Sequence, residues 1–470
     1  MGRKKFTPFV INEIEITNAA SEGKSVARYN DKVVFVHMGV PGDVVKLNVF
    51  RNKRRFYDAR VIDVIEPSPH RVKPNCAHFG VCGGCKWQNM SYARQLHYKQ
   101  TQVHDNFSRI GKLAFDKIDP IAGCDEQYFY RNKLEFTFSN KRWLTETEIA
   151  DKTIDASSPT LGFHVPERFD KIIGIEKCWL QNDLSNAIRN FIKEKSIELG
   201  LSFYNHYEKL GDMRNIILRN TVKNEWMIIV VFGSDLTHKH STLMNAVKEK
   251  FSEVKTLVYV VNKKVNDTIG DQELHTFYGD GFITEWLGDL KFKVSPKSFF
   301  QTNTQQALKL YEYTKDFAGL TGNELVYDLY TGTGTIANFV ASKAKHVVGI
   351  EYVDDAITDA KINSQLNNIT NTSFYAGDMK DMLTEDFLHA NGYPDVLITD
   401  PPRNGMHADV VEMIKRIKAK TVVYVSCNPA TQARDLDLLR DVYKIEEIQP
   451  VDMFPQTHHV ECVVKLSIIN

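Results

Sequence analysis

The sequence predicts a multidomain α/β chain with three parts: an OB-like N-terminal β-barrel, an α+β centre, and a C-terminal Rossmann-like sheet ending in an antiparallel hairpin. Three observations predict this. At 470 residues the chain exceeds what one core organises. Several short strand-like runs crowd residues 10–65. From about residue 293, strand-like runs alternate with helical patterns. The expected boundaries are 1–70, 71–292 and 293–470.

In chain order, VINEIEI, KVVFVH, DVVKLNVF and DARVIDVI are the barrel strands, punctuated by EGKS and VPGD. The Pro-rich EPSPHRVKPN (66–75) reads as a linker, and a cysteine cluster follows it. SYARQLHYKQTQVHDNFSRIG (91–111) has helical spacing, with Leu96, Val103, Phe107 and Ile110 apolar. This helical part, near 91–125, is expected to pack on the C-terminal domain. In the centre RNKLEFTFS, LGFHVP, NIILRNT, EWMIIVVFG and TLVYVVNK read as strands and SNAIRNFIKEKSI as a helix. In the last part LVYDLY, VVGIE, SFYAGD, DVLITD and VVYVS predict parallel strands with right-handed helical crossovers. YKIEEIQPVDMF and VECVVKLSI follow with no clear helix between them, which predicts a terminal antiparallel pair.

Hydrophobic content of 43% and charged content of 25% describe a soluble globular chain. No apolar run approaches the ~20 residues of a membrane span. MGRKKFTPFV has no apolar segment after its basic residues, and its sixth residue, Phe6, breaks the myristoylation pattern. A cytoplasmic monomer without membrane contact is expected. The net charge of zero hides an asymmetry, because residues 1–75 carry 14 Lys/Arg against 8 Asp/Glu. The run RNKRR (51–55), followed by Phe56 and Tyr57, suits phosphates and stacked bases as well as a solvated loop. Seven cysteines, an odd and partly clustered set, argue against a disulfide framework in the cytosol and for metal or catalysis.

DLYTGTGTIA (328–337) follows the first strand of the last domain and opens a helix, where Gly332 and Gly334 permit a tight turn and close ligand approach. Glu351 ends the next strand, positioned to accept ribose hydroxyls. Both NAD and S-adenosylmethionine suit such a site. A dinucleotide fingerprint wants a third glycine, and Ile336 and Ala337 stand there instead. A terminal antiparallel pair is also typical of class I methyltransferases and not of dehydrogenases. Asp378, at the third strand tip, suits either an adenine amino group or a helix cap.

TDPPRNGMH (399–407) ends the fourth strand. Its two prolines hold Asp400 at the carboxyl edge of the sheet, where ligands bind. Cys427 ends the next strand in TVVYVSCNPAT, so its sulfur is expected at the cofactor edge. A thiolate beside a methyl donor points to uracil C5, a poor nucleophile until a thiolate adds to C6. Glu461 in HHVECVV is a candidate base for the C5 proton. Phe300 is placed near the reacting base.

SFFQTN (298–303), DLYTGTGT, DPPRNGMH, SCNPAT and HHVE occur in the order and spacing of the RNA uracil-C5 methyltransferases, and the chain resembles that family over essentially its full length. The resemblance implies that Cys427 is the nucleophile and Glu461 the base. It also implies that Gln301, Tyr330, Glu351, Asp378 and Asp400 surround S-adenosylmethionine, and that the N-terminal barrel is a TRAM domain. Thr335 departs from the asparagine of many relatives.

CAHFGVCGGC spaces Cys76, Cys82 and Cys85 for a metal, and Gly83 and Gly84 let the backbone fold round it. By spacing, zinc and iron–sulfur are equal, and Cys124, Cys178 and His78 compete as fourth ligand. The cluster resembles that of the 23S ribosomal RNA members of the family, which implies Cys178 as fourth ligand and a [4Fe–4S] cluster. It also implies 23S rRNA as the partner, with the target uridine flipped or unstacked. Transfer RNA methylation, a non-catalytic metal-containing RNA-binding protein, an exocyclic-amine methyltransferase and an NAD oxidoreductase are the rival readings. Arg403, where an exocyclic-amine enzyme has an aromatic residue, speaks against the third of these.

Overall fold

In the computed structural model, which describes residues 6–151, 153–166 and 168–469, the chain forms four sheets. MGRKK, part of the stretch on which the leader and lipidation readings rest, lies outside the described residues. By internal contact the chain divides into two units, Met1–Gln102 with Phe454–His459, and Val103–Met453 with Val460–Asn470.

The first unit holds β1 (Phe9–Glu15), β2 (Asn18–Ala19), β3 (Ser25–Tyr29), β4 (Lys32–His37), β5 (Val44–Asn52) and β6 (Phe56–Glu66), in sheet order β1-β5-β6-β4-β3-β2. Every pair is antiparallel except β4 with β6. Period-two alternation in β3, β4 and β5 turns one face inward, and Ile16, Val34, Val36, Val45, Leu47 and Val49 form one core. The sheet curls enough to bring Phe9 of β1 within ring contact of Tyr29 on β3, at 6.1 Å between centroids. Strand β3 is an addition to the expected set. Its sequence SVARY carries Ser and Arg, and its turn into β4 uses Asn30 and Asp31, both left-handed at φ 47° and 59°, the conformation of a two-residue hairpin turn. Helix α1 (Tyr92–Asp105) follows.

The second unit begins with an α+β sheet. Its elements are β7 (Lys133–Ser139), α2 (Glu146–Ala150), β8 (Thr160–His164), β9 (Ile172–Gly174), α3 (Asp183–Glu198), β10 (Met213–Asn220), β11 (Trp226–Phe232), α4 (His238–Lys250), β12 (Val254–Val261) and β13 (His275–Tyr278). The strand order is β13-β12-β11-β10-β7-β8-β9, and the one parallel pair, β11 with β12, is the one crossed by α4. WMIIVVF of β11 is buried throughout, as a central strand covered on both faces requires. A separate hairpin, β14 (Ile283–Leu287) with β15 (Leu290–Val294), leads through Ser298–Asn303 into α5 (Thr304–Ala318).

The last sheet is doubly wound: β16 (Leu325–Leu329), α6 (Thr335–Ala341), β17 (His346–Glu351), α7 (Asp354–Leu366), β18 (Thr372–Ala376), α8 (Met379–Met382), α9 (Glu385–Asn391), β19 (Val396–Thr399), α10 (Ala408–Ile417), β20 (Thr421–Ser426), α11 (Pro429–Leu439), β21 (Tyr443–Val451) and β22 (Glu461–Ile468). The order is β18-β17-β16-β19-β20-β22-β21. The five strands β16–β20 are parallel, and β22 runs antiparallel between β20 and β21. The order reverses at β16, so the crevice beyond the carboxyl ends of β16 and β19 is where such a sheet takes its ligand. Val103 and Phe107 belong to the core of this sheet, with Leu113, Phe115, Ile118 and Ile121 packed against it. Among the described residues no helix is long and apolar enough to cross a membrane.

Candidate functional site

Loop 330–334 turns sharply between β16 and α6. Gly332 and Gly334 adopt φ of 56° and 72°, and Tyr330 joins them at 63° although it carries a side chain. At Gly334 a Cβ would press within 2.9 Å of Ala360, so only glycine fits. At Gly332 a Cβ would meet nothing within 4 Å, so the turn presents an open face. Two carboxylates, a buried one on Asp328 and a partly exposed one on Glu351, hold its shape. Asp328 accepts from the Thr331 hydroxyl and from the Ala337 amide at 3.0 Å, while Glu351 accepts from the amides of Gly332 and Val353, each at 3.1 Å. Asp328 Oδ1 has no hydrogen-bond partner among the described residues, and burial pushes its carboxyl up to about 7.

Of the other expected cofactor residues, Tyr330, Asp378 and Asp400 follow the carboxyl ends of β16, β18 and β19. Asp378 follows β18 and accepts from the Lys380 amide at 3.2 Å, capping α8. The Tyr330 phenol is raised to about 12 by burial and by the carboxylates of Asp435, Asp378 and Glu351. Gln301 lies in the segment before α5, its carbonyl held by the Asn132 side-chain amide at 2.9 Å. Phe300 turns inward, 7% exposed, its ring 5.9 Å from that of Phe292, whereas Phe299 is 69% exposed. The outward aromatic of SFFQTN is therefore Phe299.

Asp400 follows β19, and burial together with Asp328 raises it to about 7. The turn after it is fastened to the segment that follows Cys427. Arg403 O accepts from Asn428 Nδ2 at 2.9 Å and from the Thr431 hydroxyl at 3.2 Å, and Met406 N donates to Asp435 at 2.9 Å. Antiparallel pairing runs from Thr421↔Ser467 to Ser426↔Cys462. Continued by one residue, this register sets Cys427 opposite Glu461. Gln432 Nε2 ties the two strand tips by donating to Tyr424 O at 2.9 Å and Cys462 O at 3.1 Å. Burial raises the Cys427 thiol to about 11, and the carboxylates of Glu461 and Asp400 add to the shift. Glu461, 4% exposed, is raised to about 8 by burial and Asp400. Arg403 opposes both shifts, which supplies the basic neighbour that the sequence alone does not identify. Asp328 and Asn132 were likewise not singled out, because a strand-end acid and a loop asparagine look ordinary without the partners they bind.

Cys76, Cys82 and Cys85 lie half-buried in the first unit and Cys178 buried in the second. The Gly84 amide points at Cys82 Sγ at 3.4 Å, and burial raises the Cys76 thiol, an effect that the His78 and Phe79 amides oppose. Among the described residues no group of three or more His, Cys, Asp or Glu is arranged to hold a metal ion. Cys124 is drawn elsewhere. Its thiol donates to Glu126 O at 2.9 Å, and burial raises it to about 11.

A doubly wound sheet with a terminal antiparallel strand pair, an open glycine turn at its switch point and an acid at the second strand tip defines an S-adenosylmethionine-dependent methyltransferase. Residues 213–469 match the tRNA (uracil-5-)-methyltransferase family. The chain belongs to this family of RNA uracil-C5 methyltransferases. An uncharacterized RNA methyltransferase of Bacteroides thetaiotaomicron is 53% identical over 452 residues, covering 96% of this chain and 100% of the relative. Another, from Porphyromonas gingivalis, is 50% identical over 460 residues, covering 96% and 99%. Among solved structures, the tRNA (uracil-54, C5)-methyltransferase of Pyrococcus abyssi, in complex with S-adenosyl-L-homocysteine, has a TM-score of 0.75 at 27% identity. That likeness covers 96% of this chain and 100% of that one.

Proposed function

We propose that the protein methylates C5 of a uridine in 23S rRNA, with Cys427 as nucleophile and Glu461 as base. The observation that carries this reading is the β20–β22 register, which sets Cys427 opposite Glu461 within electrostatic reach of Asp400 and Arg403. Bound S-adenosylmethionine supplies an electrophilic methyl group. Gln301, Tyr330, Glu351, Asp378 and Asp400 line its place in this reading, with the open face at Gly332 leaving room for it. Cys427 gives up its proton to solvent and its sulfur adds to C6 of the uracil, moving the electron pair toward C5 as an enolate. C5 takes the methyl group, which leaves S-adenosyl-L-homocysteine, the ionised carboxylate of Glu461 removes the C5 proton, and the returning electrons expel the Cys427 thiolate. Both groups hold protons near neutrality, and Arg403 favours their ionised forms. The uridine leaves its stack to reach Cys427.

The curled N-terminal sheet, with Arg51, Arg54 and Arg55 before Phe56, supports a TRAM-like RNA-binding role for residues 1–70. On this reading 71–292 forms the central domain, 293–470 the methyltransferase domain, and the protein acts as a monomer. The C-x5-C-x2-C spacing and the amides directed at Cys76 and Cys82 support an iron–sulfur site completed by Cys178; no catalytic step uses it. Anaerobic purification tests this: about four irons per chain are expected, and stoichiometric zinc without iron overturns it.

A second reading, methylation of transfer RNA, is favoured by the full-length likeness to the Pyrococcus abyssi enzyme. Mapping 5-methyluridine in 23S rRNA and tRNA from a deletion strain separates the two. Loss from 23S rRNA alone supports the first, and loss from tRNA alone replaces it. RNA bearing 5-fluorouridine, bound without a denaturant-stable adduct, would refute the covalent reaction altogether.

A further inference from the structure

Helix α7 carries a polar row at one-turn spacing, Asp359, Asn363 and Asn367, on the side that meets β15. Asn367, its C-cap, brackets Lys291 by accepting from its amide at 2.8 Å and donating to its carbonyl at 2.7 Å. Asn363 accepts from the Lys293 amide at 2.8 Å. Asp359 accepts from the Ser298 hydroxyl at 2.6 Å and lies 3.5 Å from Lys293 Nζ. These bonds cover the edge of β15 away from β14, whose main-chain groups would otherwise stay unpaired. From the far side Arg219 of β10, 4% exposed, donates to the carbonyls of Ser295 at 3.2 Å and Ser298 at 2.6 Å.

Asn363 differs from the other two in facing both ways. Its Nδ2 donates to the carbonyl of Thr333 at 2.9 Å, in the glycine turn between Gly332 and Gly334. The side chain has no solvent exposure, so neither bond can be replaced by bulk water, and losing either leaves a buried group unpaired. We propose that Asn363 is a positioning residue that sets the turn 331–334 against the segment 293–301, holding the cofactor loop and Gln301 at one spacing. This rests on the reading that both segments hold S-adenosylmethionine, and it adds the strut between them.

The test is hydrogen–deuterium exchange on the full chain with and without S-adenosyl-L-homocysteine, alongside binding calorimetry. In the wild type the ligand is expected to slow exchange at 331–336 and also at 291–296. In Asn363→Ala the protection at 331–336 remains, that at 291–296 disappears, and affinity falls about tenfold, the size of one buried hydrogen bond. Asn367→Ala, which loses the edge bonds to Lys291 and a bond to the Asn363 carbonyl but leaves both bonds of the Asn363 side chain in place, keeps both protections and wild-type affinity within about twofold. Asn363→Ser gives the same comparison if the alanine variant does not fold. Protection at 331–336 without 291–296 in the wild type overturns the strut and leaves the cofactor loop standing. Protection at 291–296 that survives Asn363→Ala comes from the ligand directly and also overturns it. No protection at 331–336 in the wild type means that the cofactor reading itself has failed, and the strut with it.

Discussion

Asn428 donates its side-chain amide to the main-chain carbonyl of Arg403 at 2.9 Å. The bond joins the turn after β19 to the turn after β20, keeping a cation within reach of Cys427 and Glu461. Arg403→Gln is expected to lower kcat/KM about tenfold and move its pH dependence toward alkaline values, since the thiol and the acid lose the opposing positive charge of Arg403. A pH profile unchanged in position would show that Arg403 does not tune either group.

Cys427→Ala is expected to reduce methyl transfer to background while S-adenosyl-L-homocysteine still binds, because the sulfur belongs to the reaction and not to the cofactor's place. Calorimetry alongside a tritium-release assay checks this. Activity above background in the alanine variant would remove Cys427 from the chemistry.

Glu461→Gln leaves a proton at C5 with no acceptor, and turnover should fall by about 10²–10⁴-fold, the span of one general base. Covalent protein–RNA adduct should then accumulate on ordinary uridine, visible as a band that resists denaturant. A slow variant without adduct would place the defect before methyl transfer.

The acidity of Glu461 sets the direction of the pH profile. Raised to about 8, it is protonated below that pH and cannot take a proton, so kcat/KM should climb from pH 6 to above 8. The Cys427 thiol, at about 11, pulls the same way. An activity optimum at pH 6, measured with RNA binding saturated, would contradict both assignments.

Asp328 affects stability in the opposite sense. Its folded value of about 7 lies above the ordinary ~3.9, so between these values the folded state keeps a proton that the unfolded chain has lost. Stability therefore falls as pH rises through this window and levels off above it. Asp328→Asn should flatten the dependence by an amount on the order of 2 kcal/mol, read from urea midpoints at pH 5 and pH 8. Equal slopes in the two proteins would mean that Asp328 is ionised throughout.

Much of this architecture was legible because periodicity reports burial. LVYDLY, VVGIE, DVLITD and VVYVS are apolar on both faces, and each proves to be an inner strand of the parallel sheet. SVARY was not legible, since a curled sheet tolerates Ser and Arg on its strands and the Asn30–Asp31 turn was the cue to follow. The placement of β22 between β20 and β21 was also hidden, because two adjacent antiparallel strands fit the edge in either order. At the site, Cys427 and Asp400 stood out by their strand-tip motifs. Asn132 and Asn363 did not, because each acts through main-chain atoms of residues far away in sequence, and Asp328 did not, because its bonds to Thr331 and Ala337 form only once the turn has closed.

The ladder between β20 and β22 also restricts how relatives can diverge in length. A single residue inserted within Thr421–Ser426 or Glu461–Ile468 would reverse the alternation on one side of the insertion relative to the other, carrying Cys427 or Glu461 off the shared edge. Insertions and deletions should therefore collect in the connection 452–460 and around α11, which can lengthen without changing the alternation. The spacing of SCNP and HHVE along the chain is free to drift, while the distance of each motif from its own strand is not.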